Sequence, residues 1–405
     1  MNMEHYIDSV SYFIRKKSGN QLARQLTYQD TEHSKNEDIM NRISQEVVST
    51  HLANPWGPIV FGHIHCCFLI HNSNDFINAY QEHANCVGLL TKAIVSMKEE
   101  NWMIPVVCTM ARDLRLLALA ADKQNAFKNA AKLQEGLYLP HEYLEKAAEP
   151  LMSIFRVCGN DIRTSNDRTK RVAMMNLVNQ LFKIYFRVNK LHLCKPLIRA
   201  LENANINECF SLAQQVTYNH YLGMKSMFDS DYKAADKLLT FAFEKCHPQS
   251  LKNKRLTLIF LIPVKMLLGT MPTIELLQKY DLMAFKPIVK AVKEGNLNDL
   301  DVALETHSDF FWKYGIYLIL EKLKIIAYRN VFKKVCLIMK THQVPVESFR
   351  VILNFLQNSN VSLEEVNCIL ANLIYEGKIK GYISLQHQKL VISKTNPFPP
   401  LATAS

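Results

Sequence analysis

The residues best equipped for chemistry lie in Gly62-His63-Ile64-His65-Cys66-Cys67. Histidine and cysteine are the usual zinc ligands, and a catalytic zinc needs several of them converging on one point. A metal hydrolase of the His-x-His type continues with seven residues, Ser, two residues and Asp. Ser73 fits that spacing, but only Asn74 separates it from Asp75, one residue short. The stretch also has helical character, and side chains two apart on a helix diverge. His63 and His65 are therefore expected to pack or to face solvent, and neither a metal nor another cofactor is expected. There is no Gly-x-Ser-x-Gly elbow, no phosphate-cradling glycine loop and no Gly-x-Gly-x-x-Gly. Asp229 and Asp231 look like paired carboxylates, yet they stand just before an apolar run, where such residues cap helices. Trp102, Trp312, Tyr314 and Tyr317 read as core or interface aromatics. The expectation is a protein that is not an enzyme.

Charge points to binding instead. The 405 residues carry 48 Lys+Arg against 37 Asp+Glu, a formal net charge of +11. Such an excess suits a polyanionic or acidic partner. Residues 305–405 hold 12 basic against 7 acidic residues. Arg329, Lys333, Lys334 and Lys340 fall on one predicted helix; Lys378, Lys380, Lys389 and Lys394 surround a predicted hairpin. These eight are the candidate contacts to RNA or DNA, giving affinity through phosphate without sequence readout. Residues 160–270 hold 17 basic against 8 acidic residues. There Lys183, Arg187, Lys190, Lys195 and Arg199 cluster, as do Lys252, Lys254 and Arg255. They are the candidate contacts to an acidic partner peptide. The ten cysteines include no Cys-x-x-Cys, and the N-terminus does not read as a secretion signal. The longest apolar run, Leu256–Leu268, contains Pro263 and Lys265 and is too short to span a bilayer. An intracellular, reducing compartment without membrane attachment is expected.

The elements that must position these residues are mostly helical. Hydrophobic residues make up 48%, while Gly and Pro number only 12 and 14. A first helix is predicted within residues 1–26, with Tyr6, Val10, Phe13 and Ile14 on one face, and a polar loop over Thr27–Asn41. Polar interruptions fall at Asp122–His141 and Gly159–Lys170. Helices are predicted over Asn176–Val188, Ala213–Phe228, Tyr232–Lys245, Lys254–Leu268, Phe285–Lys293 and Leu297–Phe310. Turns roughly every 25–40 residues suggest a degenerate tetratricopeptide-like solenoid. Further helices follow over Ile316–Ile326, Tyr328–Thr341, Val346–Leu356 and Ser362–Glu376. Ser362 and Glu365 have capping-box spacing. Lys378–Ser384 and Gln388–Ser393 alternate around Gln386–His387 as a hairpin does. Helices followed by such a hairpin make a winged helix. Its third helix, the usual groove reader, carries Glu364, Glu365 and Glu376 and no Lys or Arg, so phosphate would be repelled there. The expected divisions are 1–58 (helix and linker), 59–310 (solenoid), 311–396 (winged helix) and 397–405 (flexible tail). The fold class is all-α with one small β-hairpin.

A solenoid running into a winged helix resembles the PCI domain. The segments NLVNQLFKIYFRVNKLHLCKPLIRALEN (176–203), MFDSDYKAADKLLTFAFEKCH (227–247), NKRLTLIFLIPVKMLLGTMPTIELL (253–277) and CILANLIYEGKIKGYISLQHQKLVISKTNPFPPL (368–401) look like the PCI domain-containing protein 2 family. The resemblance covers about Asn101 to Leu401 and is loose before that. It implies the PCI subunit of the transcription–export complex, which couples transcription to messenger RNA export at the nuclear pore. It implies two partners: a large scaffold with its own PCI-type region, and a small, acidic, mostly disordered subunit shared with the proteasome lid. It also implies a nuclear location, with shuttling to the cytoplasm. The alternative is a scaffold subunit of a proteasome-lid-like or signalosome-like assembly without nucleic-acid binding. Lid-type subunits continue past the wing into a long bundle helix, whereas here about ten proline-rich residues follow.

Overall fold

In the computed structural model the described residues are 3–42, 45–96, 101–129, 141–161, 163, 169–204, 210–357 and 360–401. They are mostly helical, with one small three-stranded sheet towards the C-terminal end, in keeping with the expected fold class. The chain divides into two compact units, residues 1–218 and 219–405. The helical array expected over 59–310 contributes to both.

Apolar patterning shapes the first unit. Trp56–His71 is apolar on nearly every side and buries Ile59, Val60, Ile64, Cys66 and Cys67. A helix of that kind must be covered all round. Phe76–Ser96 packs on it, and Ile104–Lys128 packs on Phe76–Ser96. Asp122 accepts from the backbone N–H groups of Tyr143 and Leu144 at 2.9 and 3.1 Å. It thereby caps the short helix Glu142–Lys146 from a different helix, satisfying donors that every helix start leaves free.

Several elements differ from expectation. The first 26 residues form two helices, Met3–Arg15 and Gly19–Gln25. Lys17 turns the chain at φ +53, and Gly19 lies against the Trp102 carbonyl where no side chain fits. Thr27–Asn41, read as a loop, contains the helix Thr31–Ser34 and most of the helix Glu37–Arg42. Asp30 caps the first by accepting from Glu32 N–H at 3.0 Å. The interruption read at Asp122–His141 begins later, because its helix runs to Lys128. Residues 130–140, 162 and 164–168 lie outside the described residues. Leu297–Phe310 is broken at His307 into Leu297–Thr306 and Ser308–Lys313.

In the second unit Tyr232–Lys245 packs on Leu251–Leu267. Phe285–Glu294 ends at Gly295, φ +76, the left-handed closing residue that glycine supplies most cheaply. A side chain there would meet Val331. Its absence lets Leu323–Met339 come close. That helix runs unbroken through the turn expected near Ala327, because Leu323, Ile326, Ala327, Val331 and Val335 bury one continuous stripe. Val346–Gln357 and Leu363–Tyr375 follow. Glu365 N–H donates to the Ser362 hydroxyl at 3.2 Å, and Ser362 N–H donates to the Glu365 carboxylate at 2.9 Å, closing the predicted box. Of the three strands, β1 (Gln343–Pro345), β2 (Gly381–Ser384) and β3 (Lys389–Ile392), the last two form the predicted hairpin. The sequence hid β1, which pairs antiparallel with β3 to give the order β1-β3-β2.

Residues 397–401, expected as part of a flexible tail, are packed. Lys380 N–H donates to the Pro397 carbonyl at 2.8 Å, Pro399 is buried, and Leu401 sits over Gly269, φ +93, in the space a Cβ would need. Residues 402–405 lie outside the described residues. Among the described residues no helix is long and apolar enough to cross a membrane. Ser362→Ala should destabilise the start of Leu363–Tyr375 by about 1 kcal/mol, seen as faster amide exchange along that helix. Adding Glu365→Ala should cost little more, since both bonds belong to one box.

Candidate nucleic-acid interface

Lys333 lies on Leu323–Met339, and Lys340 caps that helix in a left-handed conformation, φ +51. Both are exposed, and neither makes an ion pair among the described residues. They line a cleft of about 540 Å³ together with Cys336, Leu337, Thr341, His342, Ile392, Asn396, Pro397 and Phe398. No carboxylate is among these residues. The backbone of Lys380 ties down the neighbouring segment: its N–H donates to the Pro397 carbonyl, and its carbonyl accepts from Ser393 N–H, both at 2.8 Å. Lys380 and Lys394 are exposed, and Lys389 is half-exposed on β3.

Two of the eight predicted contacts leave the surface set. Arg329 is only 7% exposed. Its Nη2 donates to the carbonyls of Phe398 and Pro399 at 3.2 and 2.8 Å, its Nη1 donates to Asn330 at 3.2 Å, and the guanidinium lies 5.8 Å from the Phe398 ring centre. Those carbonyls belong to a proline-rich segment that cannot join a regular ladder. Lys378 has a side chain only 16% exposed and pairs with Glu376 at 3.0 Å, so its charge is turned inward and neutralised. Lys334 stays exposed but donates to the Glu294 carbonyl at 2.8 Å, at a helix C-terminal end where positive charge is favoured. On the third helix Glu364 and Glu365 are exposed, so the helix that usually reads a groove does present acid.

The histidine–cysteine stretch is structural. His63 is buried with its Nε2 3.0 Å from His33 Nε2 and 3.8 Å from Cys67 Sγ. His65 turns to the other side and pairs with Glu82 at 3.6 Å. Burial, and then neighbouring His33 and His83, hold His63 well below the usual imidazole range; burial brings His33 down to about 4. Both rings are neutral at pH 7, and one donates to the other. Among the described residues no group of three or more His, Cys, Asp or Glu is arranged to hold a metal ion. Asp231 accepts from Ala234 N–H at 3.1 Å as a cap, while Asp229 pairs with Lys225. Trp312 is not a core residue: it is 59% exposed and stacked on Tyr317 with ring centres 4.6 Å apart.

The two clusters predicted for an acidic partner lie in different units. In the first, Arg187, Lys195 and Arg199 are exposed, and Lys190 is paired with Glu145. Lys183 is half-buried; burial, and then Arg115, pull its pKa to about 8. In the second, Lys252 is exposed. Lys254 donates to the Phe243 carbonyl at 3.1 Å and lies 4.8 Å from that ring centre. Arg255 donates to the carbonyls of Tyr280 and Asp281, both at 3.0 Å. These last two serve the fold as much as any partner. Sequence reasoning missed a groove of about 550 Å³ lined by the apolar Met271, Ile274, Leu277 and Val289, of which Leu277 and Val289 are buried, and by the exposed Lys286, Lys290 and Lys293. The lysine spacing of four and three was visible; the apolar lining was not. It also missed an apolar groove of about 480 Å³ lined by Ile338, Val351 and Phe355, all three strongly exposed.

A helical array closed by a winged helix defines the PCI class of proteins, and the PCI domain family matches residues 304–394. The chain is 49% identical over 403 residues to PCI domain-containing protein 2 of Xenopus laevis, covering 100% of this chain and 99% of that one. The corresponding protein of Danio rerio is 47% identical over 405 residues, at 100% and 99% coverage. The Drosophila melanogaster homolog is 43% identical over 401 residues, at 99% coverage of each. This chain belongs to the PCI domain-containing protein 2 family, and the likeness spans its whole length rather than only the part from Asn101 onward.

Lys183 yields a signed pH test. Its folded pKa of about 8 lies below the ordinary 10.5. The folded state therefore carries a disfavoured charge below about pH 8 and is relieved of it as pH rises towards 10.5. Lys183→Met should raise the melting temperature at pH 7, and the gain should shrink between pH 8 and 10.5 in calorimetric scans.

Proposed function

We propose that this chain is the non-catalytic PCI scaffold subunit of a nuclear messenger RNA export assembly, and that its winged helix contributes a basic surface to nonspecific RNA or DNA binding. Family membership supports the scaffold role. The export role and the location in the nucleus and at its pores rest on the family resemblance. The observation that carries the nucleic-acid part is the cleft bordered by Lys333 and Lys340, unpaired among the described residues, with Lys380 and Lys394 exposed on the adjoining wing. An acidic third helix supports phosphate contact by these lysines rather than groove reading.

Two further surfaces support the partners. Ile338, Val351 and Phe355 expose the apolar side chains that interface cores use; the large PCI-containing scaffold docks there in this reading. The groove lined by Lys286, Lys290 and Lys293 suits the small acidic subunit better than Lys254 and Arg255, which are engaged by the fold.

The quadruple charge reversal Lys333→Glu, Lys340→Glu, Lys380→Glu and Lys394→Glu should lower RNA affinity at least tenfold. It should also flatten the salt dependence by roughly 0.7 in log–log slope for each phosphate that is no longer neutralised. Measured on the chain and on its complex with the scaffold, unchanged affinity in both would refute the role. Ile338→Asp with Phe355→Asp should abolish co-purification of the scaffold, and retained co-purification would move the docking site elsewhere.

A further inference from the structure

We infer that the cleft between Leu323–Met339 and the C-terminal segment takes one unpaired base of a single-stranded nucleic acid, with phosphates held at the rim by Lys333 and Lys340. This rests on the nucleic-acid reading above and adds what that reading leaves open: strandedness, and a contact to a base.

The lining has what an unstacked nucleotide requires. Phe398, Leu337 and Pro397 supply apolar walls, one of them aromatic; Thr341, His342 and Asn396 supply hydrogen-bonding groups; Lys333 and Lys340 supply charge. Single-stranded recognition combines these elements: a ring for the base face, partners for its edge and cations for the backbone. The volume of about 540 Å³ falls in the range of small-ligand pockets, about 300–1,000 Å³. The aromatic wall is built in advance. Arg329 donates to the Phe398 carbonyl at 3.2 Å and lies 5.8 Å from the centre of its ring. Lys380 N–H holds the preceding Pro397 carbonyl at 2.8 Å. A duplex keeps its bases paired and stacked, so it offers none to the cleft. Its usual approach along the third helix meets the exposed Glu364 and Glu365.

The test is fluorescence anisotropy on the full chain with three probes: a labelled mixed-sequence 12-nucleotide RNA, an abasic strand of equal length, and the RNA annealed to its complement. The single strand should bind at least tenfold tighter than either other probe. Leu337→Ser, at a position 64% exposed and so safe for folding, should weaken the single strand about tenfold and leave the abasic strand unchanged. Phe398→Ala should do the same, and Phe398→Tyr should restore binding. Lys333→Glu with Lys340→Glu should weaken both strands. Equal affinity for intact and abasic strands, tighter duplex binding, or no effect of Leu337→Ser and Phe398→Ala would overturn the base pocket. If the lysine reversals still weaken binding in that case, the basic surface stands and only the pocket falls. If they too do nothing, both fall.

Discussion

The architecture of the second unit's C-terminal end depends on one buried cation. Arg329 sits inside, and its fork is taken up by two successive carbonyls of a proline-rich segment. Hydrogen bonds to charged groups contribute about 1.5–3 kcal/mol each, whereas a buried charge stripped of its partner costs roughly 3–5 kcal/mol. The segment and the arginine therefore require each other. With Pro397–Leu401 held down, the wing gains a second edge, and a helix face that would be flat becomes one side of a cleft.

Desolvation orders the charges elsewhere as well. In the first unit His33 and His63 share a bond in which one ring must stay unprotonated to accept, and burial keeps both neutral at pH 7. Lys183 retains its charge at neutral pH against burial and a neighbouring guanidinium. In the second unit Lys254, Arg255, Lys334 and Lys378 are each engaged by a carbonyl or a carboxylate. A formal excess of +11 thus overstates the positive surface on offer. What counts is the subset of lysines left exposed, and among them Lys333, Lys340, Lys286, Lys290 and Lys293 border cavities.

Signals that are local in sequence were legible. The Ser362–Glu365 box, the hairpin around Gln386–His387 and the helix starting at Tyr232 all follow from a few neighbouring residues. Features made by distant segments were not. β1 is three residues long, too short to display alternation, and exists because β3 lies beside it. Arg329 has the same helical spacing to Lys333 as any surface pair, and nothing near it announces that residues 398 and 399 return to cover it. Lys378 carried no mark of its inward turn. The groove under Lys286, Lys290 and Lys293 needed Met271 and Ile274 brought up from an earlier helix start. Of the eight lysines and arginines proposed for phosphate, Arg329 is covered by a segment that returns later and Lys378 is drawn to Glu376 two residues before it.

Gly269 carries the same dependence further from the wing. It sits at the end of Leu251–Leu267, far along the chain, yet the room it leaves is filled by Leu401. Any bulkier residue at 269 would compete with that leucine for the same volume. Its influence would pass along Pro397–Leu401 to the arginine beneath and the phenylalanine above. A position without chemistry of its own thereby acts as the anchor bolt for the strap that shapes the cleft.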